Sequence, residues 1–325
     1  MRSANSRHKI VIVTPVFNDW AAFGLLLKQL GQQPALANYE MRVLAVDDGS
    51  PEQPDVAKLA QLKGTIKDFR VVQLACNLGH QRAIAVGLVE VAKLKDLDAV
   101  VVMDADGEDR IEDVGRLIGA WSEDPDRIVF ARRERRSESF AFKIFYAFYK
   151  LAFLVLTGEH ISFGNFAILP RRVVQALIYN PAIWNNLAVS ITRSRFRYTT
   201  LTTDRGPRLA QKSRMNFIDL FLHGVSAMSV YIDVVLARVL VAACALAVIV
   251  LVLLAVVIAI KFGTTLAIPG WASYLTASLT LLFVQAILLA GFALFQLLNL
   301  RSLKLFVPAL DAATFVVGGN VDRQP

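Results

Sequence analysis

Cysteine, histidine and charge are all scarce in this chain of 325 residues, which has two cysteines, four histidines and 19% charged residues. Cys76 lies in a polar stretch and Cys244 in a long apolar run, so neither a disulfide framework nor a thiolate metal centre is expected. Histidine metal chemistry is disfavoured as well: His80 has no second histidine close by and reads as a capping or packing residue in preference to a ligand. Neither an internal repeat nor a low-complexity linker is present, which excludes solenoid arrays and tethered modules. Met1 to Lys9 is polar and basic with no apolar core, so no cleavable leader is expected there.

What the chain has in abundance is apolar length. Hydrophobic residues make up 55% of it and the mean hydropathy is +0.48, too apolar for an ordinary soluble domain. Leu240 to Ile260 is a run of about 21 residues without a charge, and Ala272 to Leu298 is a second, each long enough to cross a bilayer. Two membrane helices are therefore expected at about 238–260 and 272–298, inside a segment 231–304. Arg238 precedes the first run, Arg301 and Lys304 follow the second, and the connection Lys261 to Trp271 has one basic residue. Both ends should then be cytoplasmic, giving a multi-pass protein of the cytoplasmic (inner) membrane with residues 305–325 as a cytoplasmic tail. The charge balance, Lys+Arg 35 against Asp+Glu 27 for a net +8, fits an anionic bilayer as partner and, with the spans present, not nucleic acid.

Within residues 1–230 short β-branched runs alternate with helix-like patterns, the signature of an α/β fold with a mostly parallel sheet. Strands are expected at Ile10 to Thr14, Arg42 to Val46, Arg70 to Leu74 and Ala99 to Met103, and helices at Asp19 to Leu30 and Gln81 to Lys95. Three of these strands end in polar loops: Thr14-Pro15-Val16-Phe17-Asn18-Asp19, Val46-Asp47-Asp48-Gly49-Ser50 and Asp104-Ala105-Asp106-Gly107-Glu108-Asp109. In a parallel sheet such loops converge on one crevice at the carboxyl edge. Hard carboxylate oxygens there suit Mg²⁺ or Mn²⁺, and a divalent ion suits a substrate that carries phosphates.

Those motifs, in that order, resemble family 2 glycosyltransferases of the GT-A fold, specifically the polyprenyl-phosphate branch that includes dolichol-phosphate mannose synthase. The likeness runs from about Ile10 to beyond the second apolar run. It implies that Thr14, Pro15 and Asp19 line a nucleotide pocket, with Asp19 where the family often has Glu. Asp47 and Asp48 resemble the family's paired acids, the second of which usually bonds the nucleobase. Cys76-Asn77-Leu78-Gly79-His80-Gln81-Arg82 resembles the family's Asn-x-Gly segment, and Asn77, Gly79 and Arg82 would face the donor diphosphate from a helix N-terminus. Asp104 and Asp106 match the Asp-x-Asp that grips the metal and the sugar nucleotide. Glu108 stands where the family has Gln, giving Asp104, Asp106 and Glu108 as the implied metal ligands.

The acceptor side is read from two basic segments. Arg132-Arg133-Glu134-Arg135-Arg136 precedes Phe140 to Leu156, which mixes aromatics with Lys143 and Lys150, so interfacial helices are expected near 137–157 and 214–230, with Arg132 and Arg135 at lipid phosphates. In the stretch from Asp204 to Phe217, which resembles the family's Arg…Gly-x-Ser-Lys-Tyr, Arg205, Arg208, Lys212, Ser213 and Arg214 would hold the acceptor phosphate or the diphosphate. Ser162 departs from the pattern, because the family places an Asp there, and a serine is no general base near neutral pH. Either the acceptor phosphate, already ionised, needs no base, or Glu159 or His160 substitutes, or activity is lost. Asp104, Asp106, Ser162 and Arg214 are the residues the resemblance would make catalytic.

Taken together these readings imply a cytoplasm-facing, metal-dependent, inverting transfer of a sugar from a nucleotide-sugar, a UDP-sugar by preference, to a polyprenyl phosphate such as undecaprenyl phosphate. A homo-oligomer is also allowed, since relatives assemble through their membrane regions. Two alternatives stand beside this expectation. Gln211-Lys212-Ser213-Arg214-Met215 partly resembles the Gln-x-x-Arg-Trp signature of processive polysaccharide synthases, and Ser162 leaves room for a catalytically silent scaffold that binds nucleotide-sugar or lipid.

Overall fold

The computed structural model describes residues 7–133, 140–160, 163–210, 217–264 and 270–317. In chain order the elements are β1 Lys9–Val16, α1 Trp20–Gln32, β2 Glu40–Asp47, α2 Val56–Leu62, β3 Asp68–Gln73, α3 His80–Ala92, β4 Ala99–Val102, α4 Ile111–Glu123 and β5 Ile128–Arg133. There follow α5 Phe140–Thr157, β6 Ala167–Pro170, α6 Arg171–Leu177, α7 Leu187–Arg193, β7 Tyr198–Thr203, α8 Phe217–Ser229, α9 Ile232–Gly263, α10 Trp271–Ser302 and α11 Pro308–Asp311.

Seven strands form one sheet in the order β3-β2-β1-β4-β6-β5-β7. Only β6 runs antiparallel to its neighbours β4 and β5, so the sheet is mixed but mostly parallel. Period-two alternation in the central strands serves both faces. Val11 and Val13 of β1 and Val100 and Val102 of β4 join the core under α3, α6 and α7. Ile10 and Ile12 of β1 and Ala99 and Val101 of β4 join the core under α1 and α4. Fully apolar strands are required by that two-sided burial, which is why the runs Ile10-Val11-Ile12-Val13 and Val100-Val101-Val102 are so conspicuous in the sequence. Gly87 lets α3 lie close on the sheet, since a Cβ there would come 2.5 Å from Val13 Cγ1.

The chain divides into two compact units, one of residues 1–143, 161–230 and 305–325 that holds the sheet, the other of 144–160 and 231–304. In the second unit the two long apolar runs form α9 and α10, of 32 residues each, both long and apolar enough to cross a membrane. They pack on small side chains: Ala243 and Ala247 on α9 and Ala286, Ala290 and Ala293 on α10 are buried, while Val241, Val252, Phe292 and Phe295 face outward.

The stretch after α10, expected as a tail, is built into the sheet unit as far as Val317. Ala309 N–H donates to Ile178 O at 2.8 Å, Ala75 N–H to Phe315 O at 2.8 Å and Val317 N–H to Gln73 O at 2.8 Å. Val316 forms an antiparallel bridge with Leu74, and Ala312 is buried in the core beneath α3. Backbone pairing and apolar burial hold this segment, and neither is visible from its composition.

Candidate active site

The carboxyl ends of β1, β2 and β4 meet as the sheet order requires, because β1 lies between the other two. Thr14 is fully buried, and its hydroxyl donates to Met103 O at 2.7 Å, tying the end of β1 to that of β4. Beyond β2, Asp47 Oδ1 accepts from Ser50 N–H at 2.9 Å, and Ser50 Oγ accepts from Asn18 N–H at 2.9 Å, so the first two loops brace each other. Gly49 sits at φ +71° with its α-carbon against the Cys76–Asn77 peptide, where a Cβ would come 2.5 Å from Cys76 C. Asp48 is buried and spans the next loop: Oδ1 accepts from Leu78 N–H at 2.7 Å and Oδ2 from Gly79 N–H at 3.0 Å. Burial pushes its pKa up, against the pull of those two donors. Asp47, Asp48, Asn77 and Gly79 are thus brought together, and the second acid shapes the loop that opens α3.

A network of acids and arginines occupies the end of β4. Asp104 N–H donates to Asp109 Oδ2 at 3.0 Å, and Asp109 Oδ1 accepts from Arg133 Nη2 at 2.9 Å. Asp106 Oδ1 accepts from Glu108 N–H at 2.9 Å, and its Oδ2 pairs with Arg208 Nη2 at 2.9 Å. Glu108 Oε1 accepts from Arg208 Nε at 2.8 Å and also from Arg205, while Oε2 meets Arg133 Nη1 at 3.4 Å. The loop that carries Arg205 and Arg208 lies on the β4 turn through Gly206 N–H to Glu108 O at 2.9 Å and Leu209 N–H to Asp106 O at 2.9 Å. Glycine is needed at the closest approach, where a Cβ on Gly206 would come 2.5 Å from Gly107 O.

Charge is unevenly shared within this network. Desolvation would raise the Glu108 pKa, but Arg205 and Arg208 outweigh it and hold the carboxyl below its usual value. Asp104 is pushed up to about 7, by burial first and by the charge of Asp106 second. Asp109 is likewise pushed up to about 7, by burial and then by Asp104. Asp104 Oδ1 faces His80 Nε2 at 3.3 Å, and desolvation lowers the His80 pKa, so the ring gives that carboxylate little positive charge. Asn165 Nδ2 lies 3.4 Å from the same ring nitrogen.

A divalent cation fits the Asp104–Asp106 pair, because a half-buried carboxylate whose Oδ1 is enclosed without a hydrogen bond and destabilised by its neighbour's charge is what such an ion would relieve. Glu108, expected as the third ligand, has its oxygens on Arg133, Arg205 and Arg208, just as Asp106 has one of its own on Arg208. Among the described residues no group of three His, Cys, Asp or Glu side chains surrounds one point. Asp19 stands at the N-cap position of α1 without a side-chain capping bond, near enough for its charge to help raise the pKa of Arg208. Arg132 is exposed, whereas the next residue, Arg133, turns in to the acids. Arg82, expected at the diphosphate, is exposed and lies over the Trp184 ring, 5.6 Å from its centroid. Arg135, Ser162, Lys212, Ser213 and Arg214 lie outside the described residues.

Four residues escaped the sequence reading: Asp109, Arg133, Asn165 and Trp184. Asp109 was within reach, as the last acid of the cluster that drew attention to Asp104. Arg133 was within reach too, since strand alternation turns only one of two adjacent arginines toward the neighbouring β4 turn.

A profile of Glycosyl transferase family 2 matches residues 11–178, just over half of the chain. The chain belongs to glycosyl transferase family 2. Within that family it is 32% identical over 174 residues to a bactoprenol glucosyl transferase of Shigella phage SfX, covering 51% of this chain and 54% of the relative. It is 27% identical over 236 residues to the uncharacterized glycosyltransferase YkoT of Bacillus subtilis (strain 168), covering 69% of each. An undecaprenyl-phosphate 4-deoxy-4-formamido-L-arabinose transferase of Proteus mirabilis (strain HI4320) is 29% identical over 134 residues, 41% of this chain and 39% of that one. The chain thus spans about half the length of the bactoprenol relatives it matches. The family match contains the loops with Asp47, Asp48, Asp104 and Asp106, and ends before the Arg205–Arg208 loop.

Proposed function

We propose that this chain transfers a sugar from a nucleotide-sugar, a UDP-sugar by preference, to a polyprenyl phosphate such as undecaprenyl phosphate, with inversion and with Mg²⁺ or Mn²⁺ bound. The observation that carries the reading is the pairing of Asp104, a carboxylate destabilised by burial, with Asp106 beside Arg208 at the carboxyl edge of the sheet. Bactoprenol and undecaprenyl-phosphate relatives support the acceptor class.

Asp104 and Asp106 would hold the metal, which when bound offsets negative charge on the diphosphate. Arg208 and Arg205, gathered on Glu108, stand ready to exchange that carboxylate for phosphate oxygens. Asp47 Oδ2 is buried with no hydrogen-bond partner among the described residues, which leaves an acceptor for a hydroxyl or N–H of the nucleoside. The acceptor's phosphate oxygen forms the new bond to the anomeric carbon as the bond to the nucleoside diphosphate breaks, and the leaving diphosphate carries the electron pair. No proton need be removed from an acceptor that is already an anion, so an aspartate at position 162 is dispensable to this chemistry and positioning supplies the rate. The helices α9 and α10 would span the cytoplasmic membrane with the sheet unit in the cytoplasm, in keeping with Arg238, Arg301 and Lys304.

The test is incubation of the full-length protein in detergent with undecaprenyl phosphate, Mn²⁺ and a panel of UDP- and GDP-sugars, reading nucleoside diphosphate release and lipid mass. A metal-dependent glycolipid that Asp106→Asn does not make is the expected result. Bound donor with no glycolipid from any sugar would transfer support to a silent binding protein.

A further inference from the structure

β6 runs antiparallel to β4, so its start, not its end, lies at the edge where the acids gather. The register sets Val102 opposite Ala167, and two residues further on it brings Asn165 opposite Asp104. His80, the first residue of α3, closes the third side: its Nε2 lies 3.3 Å from Asp104 Oδ1 and 3.4 Å from Asn165 Nδ2. One ring nitrogen cannot donate to the carboxylate and accept from the carboxamide at once. One of the two contacts is therefore left unmade, and Asp104 Oδ1 has no hydrogen-bond partner among the described residues. The place is open to solvent, with the side chains of His80 and Asp104 42% and 37% exposed. A glycine precedes both His80 and Asn165, and a Cβ on Gly79 or on Gly164 would meet nothing within 4 Å among the described residues.

We propose that His80 and Asn165 hold the sugar of the donor and select a neutral hexose over an acidic one. This rests on the nucleotide-sugar reading above. With the nucleoside at Asp47 beyond β2 and the diphosphate at Asp106, Arg205 and Arg208 beyond β4, the next strand in order, β6, is left for the sugar. Held there, beside Asp104, the sugar keeps its anomeric carbon at the Asp104–Asp106 pair, where the bond to the diphosphate breaks. A hydroxyl both donates and accepts, so one set between Asp104 Oδ1 and Asn165 Nδ2 gives its proton to the carboxylate and takes one from the carboxamide. His80 Nε2 is then released to bond a neighbouring hydroxyl. Polar groups that go unpaired when the matching hydroxyl is absent are what make a site reject the wrong sugar. A uronic acid would set its carboxylate beside Asp104, with which no Lys or Arg forms an ion pair among the described residues.

The experiment is calorimetric titration of the full chain in detergent with Mn²⁺, using UDP, GDP, UDP-glucose, UDP-galactose, UDP-N-acetylglucosamine, GDP-mannose and UDP-glucuronic acid. Wild type should bind one neutral hexose donor more tightly than its parent diphosphate, and UDP-glucuronic acid no more tightly than UDP. His80→Ala and Asn165→Ala should each weaken that donor about tenfold and leave the parent diphosphate unchanged. His80→Gln, whose amide nitrogen stands in for Nε2, should keep most of the affinity, a rescue that a change of helix start would not give. Equal weakening of donor and diphosphate overturns the proposal, since residues that only shape the Asp104 turn would act on both. Unchanged donor affinity in both alanine variants, a preference for UDP-glucuronic acid, or a wild type that binds every donor no better than its diphosphate overturns it as well. If wild type binds neither UDP nor GDP, the nucleotide-sugar reading itself falls, and the proposal with it.

Discussion

Asp104 shows how a single residue sets the behaviour of the site. Its carboxyl is held up at about 7 by burial and by Asp106, and that of Asp109 at about 7 by burial and by Asp104, so between pH about 4 and about 7 the native state keeps protons that the unfolded chain has released. The sign follows directly: stability of the metal-free protein is highest below the unfolded value and falls as pH rises through that window. In chelator the thermal midpoint should drop between pH about 5 and about 7.5, and Asp104→Asn should flatten the drop, gain about 1 kcal/mol at the upper end and abolish transfer. Added Mn²⁺ should raise the wild-type midpoint and leave that variant unmoved. A flat wild-type profile, or a variant that still responds to Mn²⁺, would refute this account. Gly206 makes a separate case: alanine there must push the loop off Gly107 O, carrying Arg205 and Arg208 away from Glu108. Gly206→Ala should cut kcat/KM at least tenfold, about 1.4 kcal/mol, with the donor KM rising. The place of Asp104 and Asp106 at the end of β4 was legible in the sequence because an apolar run closed by acids marks the carboxyl end of a buried strand. The role of Glu108 was not, since its arginines arrive from a loop almost one hundred residues further on.

Adjacent arginines at the end of β5 test the site at the level of the element. Strand geometry sends Arg132 outward and Arg133 inward, where it meets Asp109 at 2.9 Å and Glu108 at 3.4 Å. Arg133→Met should leave the buried Asp109 without its cation and lower stability by about 3 kcal/mol, while Arg132→Met should stay within about 0.5 kcal/mol of wild type. Chemical denaturation of the two variants side by side decides it, and equal effects would refute the inward role of Arg133. The basic segment drew notice as a whole, yet choosing between its members requires the register of β5 against β7 and β6, and that is set by pairings distant in sequence. Strands β1, β2 and β4 were readable for the opposite reason: buried largely on both faces, they are short apolar runs closed by polar loops. The segment after α10 carried no such pattern, because what fixes it is backbone pairing with Gln73, Ala75 and Ile178, burial of Ala312, and packing of Phe306 and Phe315 on Trp184.

At the scale of the whole molecule, the chain leaves the sheet unit at Val230 and re-enters it at Leu305, with α9 and α10 between. A segment that departs from and returns to one folded unit must cross a membrane an even number of times, so two crossings are consistent and one is not. Arg238, Arg301 and Lys304 at the ends of the pair favour the cytoplasm for that unit. Native Cys76 is exposed on it, while Cys244 lies within α9, where an impermeant reagent has no access if the helix is in lipid. In a Cys244→Ser background, a membrane-impermeant maleimide should therefore label Cys76 in inverted vesicles and not in right-side-out ones. Adding Thr264→Cys, just past the end of α9, should give a second thiol with the reverse pattern. Labelling of both thiols from one side would mean that the helices do not cross, and the opposite polarity would place the Asp104–Asp106 site away from cytoplasmic nucleotide-sugars, leaving the donor class without a source.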